Sequence, residues 1–376
     1  MKKKISKCRT QRYIEFLSFL AIIACINSAA HASDLATVSP FKFSGFVDMR
    51  YSNYKADSNP NVTKANAESG FGIEDGAVQA NYEKNRFSAI LDIAFRRGKE
   101  ADIILPGYSG TTVPNQSNDN RLSLAIERSQ LYLKYKLSDD FAVNFGQFDT
   151  IFGVEVNDSK DRIFGKTGLV YDSITPVTHT GAMIEYANLR TSIKFFAANP
   201  INKGSNGTSP LGEDQTEYGA ALGYSNEKCR AQIGYMSRPT SKASSGRGDR
   251  TLLDATLGVN VGSFVLDFEY SLVSDPNKNT LTTSTPTDLE KAGQGFLVLA
   301  TYKVTEPFSF SFRYEQLKDD PAKESLDTVD SSGVSIHYKV APELELRTEY
   351  IAYRYENLSH LKWSDSRFNL AAVAVF

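Results

Sequence analysis

The histidines are the first place to look for chemistry, because imidazole is the side chain that exchanges protons most readily near neutral pH. His31 lies close to the N-terminus, and His179, His337 and His360 lie in the body of the chain. A lipase- or protease-type enzyme would need one of them beside a hydroxyl nucleophile and a carboxylate. His179 with nearby Asp172 is the best such nucleus in the sequence, although His179 also reads simply as a polar residue at a strand start. There is no HExxH pair, and no GxSxG elbow to expose a serine. "ESGFGIEDG" departs from the GxGxxG spacing that cradles phosphate, and "RGD" at Arg247–Asp249 reads as a chance tripeptide. No catalytic residue, metal ligand or cofactor is expected.

The other candidates are charges, and their meaning depends on the elements that carry them. From Ser33 onward, segments of about ten residues alternate apolar and polar, the period of strands with two different faces. "FSFSFRYEQ" sets Phe308, Phe310, Phe312 and Tyr314 against Ser309, Ser311, Arg313 and Glu315. "FVLDFEYSL", "GVSIHYKV" and "ELELRTEY" repeat the pattern. Sixteen such segments run at 41–54, 71–84, 86–97, 124–136, 141–150, 178–187, 189–198, 216–226, 229–237, 251–261, 263–273, 293–304, 307–317, 329–340, 343–355 and 366–376.

Connections between them alternate in length. Tight turns such as "EKN", "LSDD", "NEK" and "APE" alternate with long pieces rich in Gly, Ser, Asn, Asp and Pro. A soluble sandwich with Greek-key crossings would not sort its connections this way. The pattern predicts an all-β fold, a transmembrane antiparallel β-barrel of about 16 strands with short periplasmic turns and long extracellular loops. Its apolar face would meet outer-membrane lipid, and recurring tyrosines at segment ends, such as Tyr51, Tyr135, Tyr235 and Tyr302, would form the interfacial girdles.

The N-terminus reads as an export signal over residues 1–32, with a basic "MKKKISKCRTQR", an apolar "FLSFLAIIACI" and a cut after Ala32. "IIAC" offers a rival, a lipidated Cys25 as the first residue. With residues 1–32 removed, 36 basic residues face 43 acidic ones, which disfavours nucleic acid as a partner. Cys229 would then be a lone cysteine in the barrel wall.

Several stretches resemble the bacterial outer-membrane porins, in particular the OmpL-like β-barrel porins. They are "FKFSGFVDMRYS", "RSQLYLKYKL", "NFGQFDTIFGVEVNDSKD" and "GLVYDSITPVTHTGAMIEY". The resemblance implies a water-filled channel for small hydrophilic solutes and ions, a third loop folded into the lumen, and a homotrimer. Porin eyelets set loop acids against arginines of early strands. That nominates Glu155, Asp158, Asp161, Arg162, Lys166 and Asp172 of the 151–177 loop as the constriction, and Lys42, Arg50, Arg96 and Arg128 as pore wall. The opposing reading makes all of these ordinary solvated loop and wall charges. Two other functions share the fold: an outer-membrane enzyme, and a surface adhesin with a closed lumen.

Finally, "LAAVAVF" puts Phe368, Leu370, Ala372, Ala374 and Phe376 on one face at period two. That makes a last strand against lipid, closing on the first strand so that no edge is exposed. A terminal aromatic such as Phe376 also resembles the signal by which the barrel assembly machinery recognises its clients.

Overall fold

A computed structural model describes residues 40–57, 70–97, 124–199, 216–238, 250–275, 291–318, 326–357 and 362–376. The expected export signal, Cys25, His31, His360 and the RGD tripeptide lie outside these residues.

The strands are β1 (Phe41–Asp57), β2 (Gly70–Lys84), β3 (Phe87–Arg97), β4 (Leu124–Lys136), β5 (Phe141–Asp149), β6 (Thr178–Ala187), β7 (Thr191–Asn199) and β8 (Glu217–Ser225). They continue with β9 (Cys229–Arg238), β10 (Arg250–Val261), β11 (Phe264–Asp275), β12 (Lys291–Lys303), β13 (Phe308–Lys318), β14 (Leu326–Ala341), β15 (Leu344–Asn357) and β16 (Lys362–Val375). One short helix, α1 (Leu169–Ser173), lies in the third loop. Expected and observed segments differ only near their ends, most at β14 and β16, which start several residues before the alternation becomes regular.

Every strand pairs antiparallel with its sequence neighbours, and β16 pairs with β1, so the sheet closes on itself. The seam runs from Phe46 opposite Val375 to Asp57 opposite Ser364. At its base, Gly45 and Phe376 exchange two backbone hydrogen bonds of 2.8 and 3.0 Å. The tight turns, β1's start and β16's end all lie at one end of the barrel. Asn85 (φ 57°) and Gly262 (φ 59°) take the left-handed positions that let two-residue turns follow the strand twist.

Alternation divides each strand between two environments. Outward positions such as Phe264, Tyr270, Phe310, Phe312, Tyr338 and Leu370 are exposed, the condition of a lipid-facing band. Inward positions change character along the barrel axis. Towards the turns they are polar, with Ser309, Ser311 and Thr301, whereas towards the long loops they become apolar, with Met236, Leu252, Val273, Leu317, Val329 and Ile351. This inward apolar belt and the third loop together form the main buried cluster.

Gly45 keeps the seam narrow. A Cβ there would lie 2.6 Å from both the Ala77 carbonyl oxygen and the Phe376 ring. Gly45→Ala should therefore destabilise the barrel by about 1–3 kcal/mol, the usual cost of overpacking. Urea unfolding, followed by the loss of the folded band on unheated gels, reads this directly. An unchanged midpoint would mean that the seam is looser than described.

Candidate functional site

The third loop, 151–177, leaves β5 and returns to β6, and in between it runs along the inner wall. It contains almost no regular structure, so its buried backbone N–H and C=O groups need partners. Those partners are charged side chains of the wall.

On the carboxylate side, Asp254 of β10 accepts from Gly153 N (3.1 Å) and Glu269 of β11 from Val154 N (2.7 Å). Asp75 of β2 accepts from Ser159 N (3.0 Å) and Glu349 of β15 from Gly165 N (2.6 Å). Glu315 of β13 accepts from Val170 N at 3.3 Å. On the donor side, Arg313 donates to the Lys166 carbonyl (3.0 Å), Arg347 to those of Ser159 (2.6 Å) and Lys160 (3.2 Å), and Gln232 to that of Ile151 (2.7 Å). Contacts thus run from β9 around to β2.

The loop and wall also interlock by shape. A Cβ on Gly234 would fall 2.6 Å from the Phe152 ring, one on Gly295 2.7 Å from Ile174, and one on Gly333 2.9 Å from the Phe164 ring. These wall glycines are hollows for the loop's apolar side chains. The converse holds for the loop: a Cβ on Gly165 would strike the Arg50 guanidinium, and one on Gly168 the Glu315 carboxylate. Apolar loop residues meet wall glycines, and loop glycines meet wall charges.

The nominated residues fall into three groups. Glu155 and Arg162 are buried. Glu155 pairs with Arg313 (2.7 Å) and accepts from Gly168 N, while Arg162 donates to the carbonyls of Val156, Asn157 and Gly165 and pairs with Asp75 (3.3 Å). They do not project into open space as expected, because the loop's own turns use them. Asp158 and Lys166 are half-buried, and Asp161 and Asp172 are exposed. Asp158 accepts from Gln79 (3.2 Å), which also donates to Asp92 of β3 (2.9 Å). Asp161 pairs with Lys160, and Asp172 accepts from Thr167.

Among the wall residues, Lys42 is exposed at the start of β1, whereas Arg50 is buried. Arg50 faces Asp48 (2.6 Å) and Glu349 (3.3 Å), which are wall acids, not loop acids. Arg96 and Arg128 lie on β3 and β4, with side chains outside the described residues. Alternation put Arg313 and the carboxylates Asp254, Glu269, Glu315 and Glu349 on the inward face, but not against the loop that they clamp. Arg313 is fully buried, pairs with Glu155 and Glu315, and lies 4.5 Å over the Phe164 ring.

His179 does not join Asp172. Its Nδ1 meets Glu217 at 2.7 Å and its Nε2 meets Thr150 at 3.3 Å, beneath the Phe196 ring at 4.2 Å. Arg238 completes this pair from β9, at 2.7 Å from Glu217. A second chain links Ser335, His337 and Glu345 at 2.9 and 2.8 Å, and Arg347 also pairs with Glu345. Both chains place a hydroxyl, an imidazole and a carboxylate in the order that hydrolases use. Yet His179 is fully buried and Ser335 is 1% exposed, so each braces the wall next to the loop.

A closed antiparallel barrel with an apolar exterior, a polar interior and a loop held against its inner wall is an outer-membrane channel of the porin class. The family model described as "Putative beta-barrel porin-2, OmpL-like" matches residues 40–375, and the chain belongs to that family. It is accordingly a porin, a passage for passive diffusion of small hydrophilic solutes and ions across the outer membrane.

Solved structures share the fold at low identity. The outer membrane channel DcaP of Acinetobacter baumannii aligns with a TM-score of 0.60 at 14% identity, over 89% of this chain and 97% of that one. An anion-selective porin from Comamonas acidovorans aligns with a TM-score of 0.60 at 11% identity, over 89% and 99%. The trimer form of OmpT, an outer membrane protein of Vibrio cholerae, gives 0.53 at 15% identity, over 89% and 99%. No curated protein matches the chain in sequence.

Removing Arg313 leaves Glu155 and Glu315 buried without their shared cation. Arg313→Gln should cost about 3–5 kcal/mol, the range for breaking a buried pair by deleting one partner. Limited proteolysis of the folded barrel should then cut within 151–177, where the parent protein resists. Equal resistance in the variant would show that Arg313 does not secure the loop.

Proposed function

We propose that the 151–177 loop is the constriction of this porin and that its charges divide into two roles. Glu155 and Arg162 hold the loop's shape. Asp158, Asp161, Lys166 and Asp172 border the passage, together with the Gln79–Asp92 side of the wall. The observation that carries this reading is the set of wall carboxylates and arginines bound to the loop backbone from β9 around to β2. In this reading the passage runs beside the β2–β5 wall, and pore width and lining charge there set which solutes pass.

In this reading the protein does no chemistry, needs no cofactor, and its His–Glu pairs are structural. It works as a homotrimer, consistent with the trimer form solved for the OmpT relative. Residues 1–32 direct export and are cleaved, and Phe376 marks the chain for barrel assembly.

Neutralising two of the acids that border the passage tests the constriction. Asp158→Asn with Asp161→Asn should shift the reversal potential towards anions in a salt gradient, with single-channel conductance changed less than twofold, as roughly expected for altered lining charge at unaltered pore width. An unchanged ion preference would remove the loop from the conduction path.

A further inference from the structure

Ion pairing inside the lumen is unevenly distributed on the turn side of the third loop. There the inward acids are each matched with a cation of the wall. Glu83 faces Lys136 (3.6 Å), Glu185 faces Lys134 (2.6 Å), Asp267 faces Arg230 (2.5 Å), and Glu345 faces both His337 and Arg347. Inward cations of the same region outnumber them. Among the described residues, Lys42 of β1, Arg190 before β7, Lys194 of β7, Lys303 of β12 and Lys339 of β14 have no carboxylate partner. A chain that is acidic overall thus carries, in a ring around the inner mouth, five cations without an ion pair among the described residues. Lys194 and Lys339 do lie in register opposite Glu185 and Glu345, which pair with other cations.

The turns, which also supply Arg190, carry Asp139, Asp140, Glu227, Glu306 and Glu343 against Arg86 and Lys228, with Lys84 at the end of β2. Those groups stand in open solvent, where salt screens them beyond about 8 Å. Of the ring, Lys194 is half-buried and the other four are exposed. They border the lumen together, and like charges set around an aqueous mouth with low-dielectric walls focus their field into it.

One side of the mouth is also hollow. A cavity of about 360 Å³ lies beneath Gly153 and Val154 of the loop, between β7 and β11. Arg190, Ser192, Arg230, Gln232, Thr256 and the Asp267 carboxylate line it. Arg230 lies flat across Gly258, where a Cβ would fall 2.5 Å from its Nε. Asp267 orients its guanidinium from one side, yet the side chain remains 56% exposed. Arg190 adds a second guanidinium with no carboxylate partner among the described residues. Two arginines at one hollow suit an oxyanion, because guanidinium forks bind two oxygens at once.

We propose that the turn-side mouth is an anion-collecting vestibule and that the β7–β11 hollow is its docking point for a small oxyanion, a carboxylate or phosphate. This rests on the porin reading, and two measurements separate the two ideas. In planar bilayers under a potassium chloride gradient, the parent protein passes chloride in preference to potassium. A variant combining Lys42→Gln, Arg190→Gln, Lys194→Gln, Lys303→Gln and Lys339→Gln loses that preference by about tenfold, the lower end of field focusing in a charged cleft. A cation-preferring parent, or an unchanged ratio in the variant, overturns the ring.

The hollow is tested without current, by line widths of inorganic phosphate (phosphorus NMR) and acetate (carbon NMR) over the detergent-solubilised protein. Broadening of phosphate alone assigns a phosphate site, and broadening of acetate a carboxylate site. In either case Arg190→Gln, at an exposed side chain, abolishes it. No broadening, or broadening untouched by Arg190→Gln, overturns the docking point. A barrel that binds but does not conduct would refute the channel and keep the site.

Discussion

A chain segment without regular structure cannot lie against a protein wall unless something takes up its backbone polar groups. This barrel meets that constraint with buried charges. Asp75, Asp254, Glu269, Glu315 and Glu349 accept amide hydrogens of the third loop, while Arg313 and Arg347 donate to its carbonyls. The inward apolar belt, the wall glycines and the shape of the passage all depend on that docking. Side chains that would line an empty sixteen-strand barrel are here consumed in holding its contents.

The loop is secured twice over, by charge and by shape. Phe152, Phe164 and Ile174 enter hollows at Gly234, Gly333 and Gly295, and Gly165 and Gly168 let Arg50 and Glu315 approach the loop backbone. Shape fixes where the loop lies along the wall, and charge satisfies its backbone once it lies there. The buried Glu155–Arg313–Glu315 group joins the two, because Arg313 also covers the Phe164 ring. In the proposed reading, selectivity falls to the charges that border the passage, Asp158 and Asp161 on the loop side and the cations of the turn-side mouth on the other.

Much of the barrel was legible in the sequence, because a strand of a membrane barrel has one partner environment per face. "FSFSFRYEQ" states both faces in nine residues, and the alternation of short and long connections states the topology. The site was less legible for a physical reason. Arg313, Arg347, Glu269 and Glu349 could be read as inward charges, but their partners lie more than a hundred residues away, at positions that no local pattern marks. A signal did exist. Inward positions that turn apolar, such as Leu297 and Ile351, and inward glycines such as Gly234, Gly295 and Gly333, are out of place beside water and call for something packed upon them. His179 shows the opposite error, since proximity in sequence offered Asp172 while the fold supplied Glu217 from two strands away.

The central claim is that wall charges hold the 151–177 loop at one place inside the barrel. The most direct test is a distance between spin labels at Asp161→Cys and Thr305→Cys, in a Cys229→Ser background reconstituted in lipid. The account predicts a single narrow distribution that broadens when Arg313 is replaced by Gln. A broad distribution in the parent protein, or a narrow one indifferent to Arg313, would contradict it.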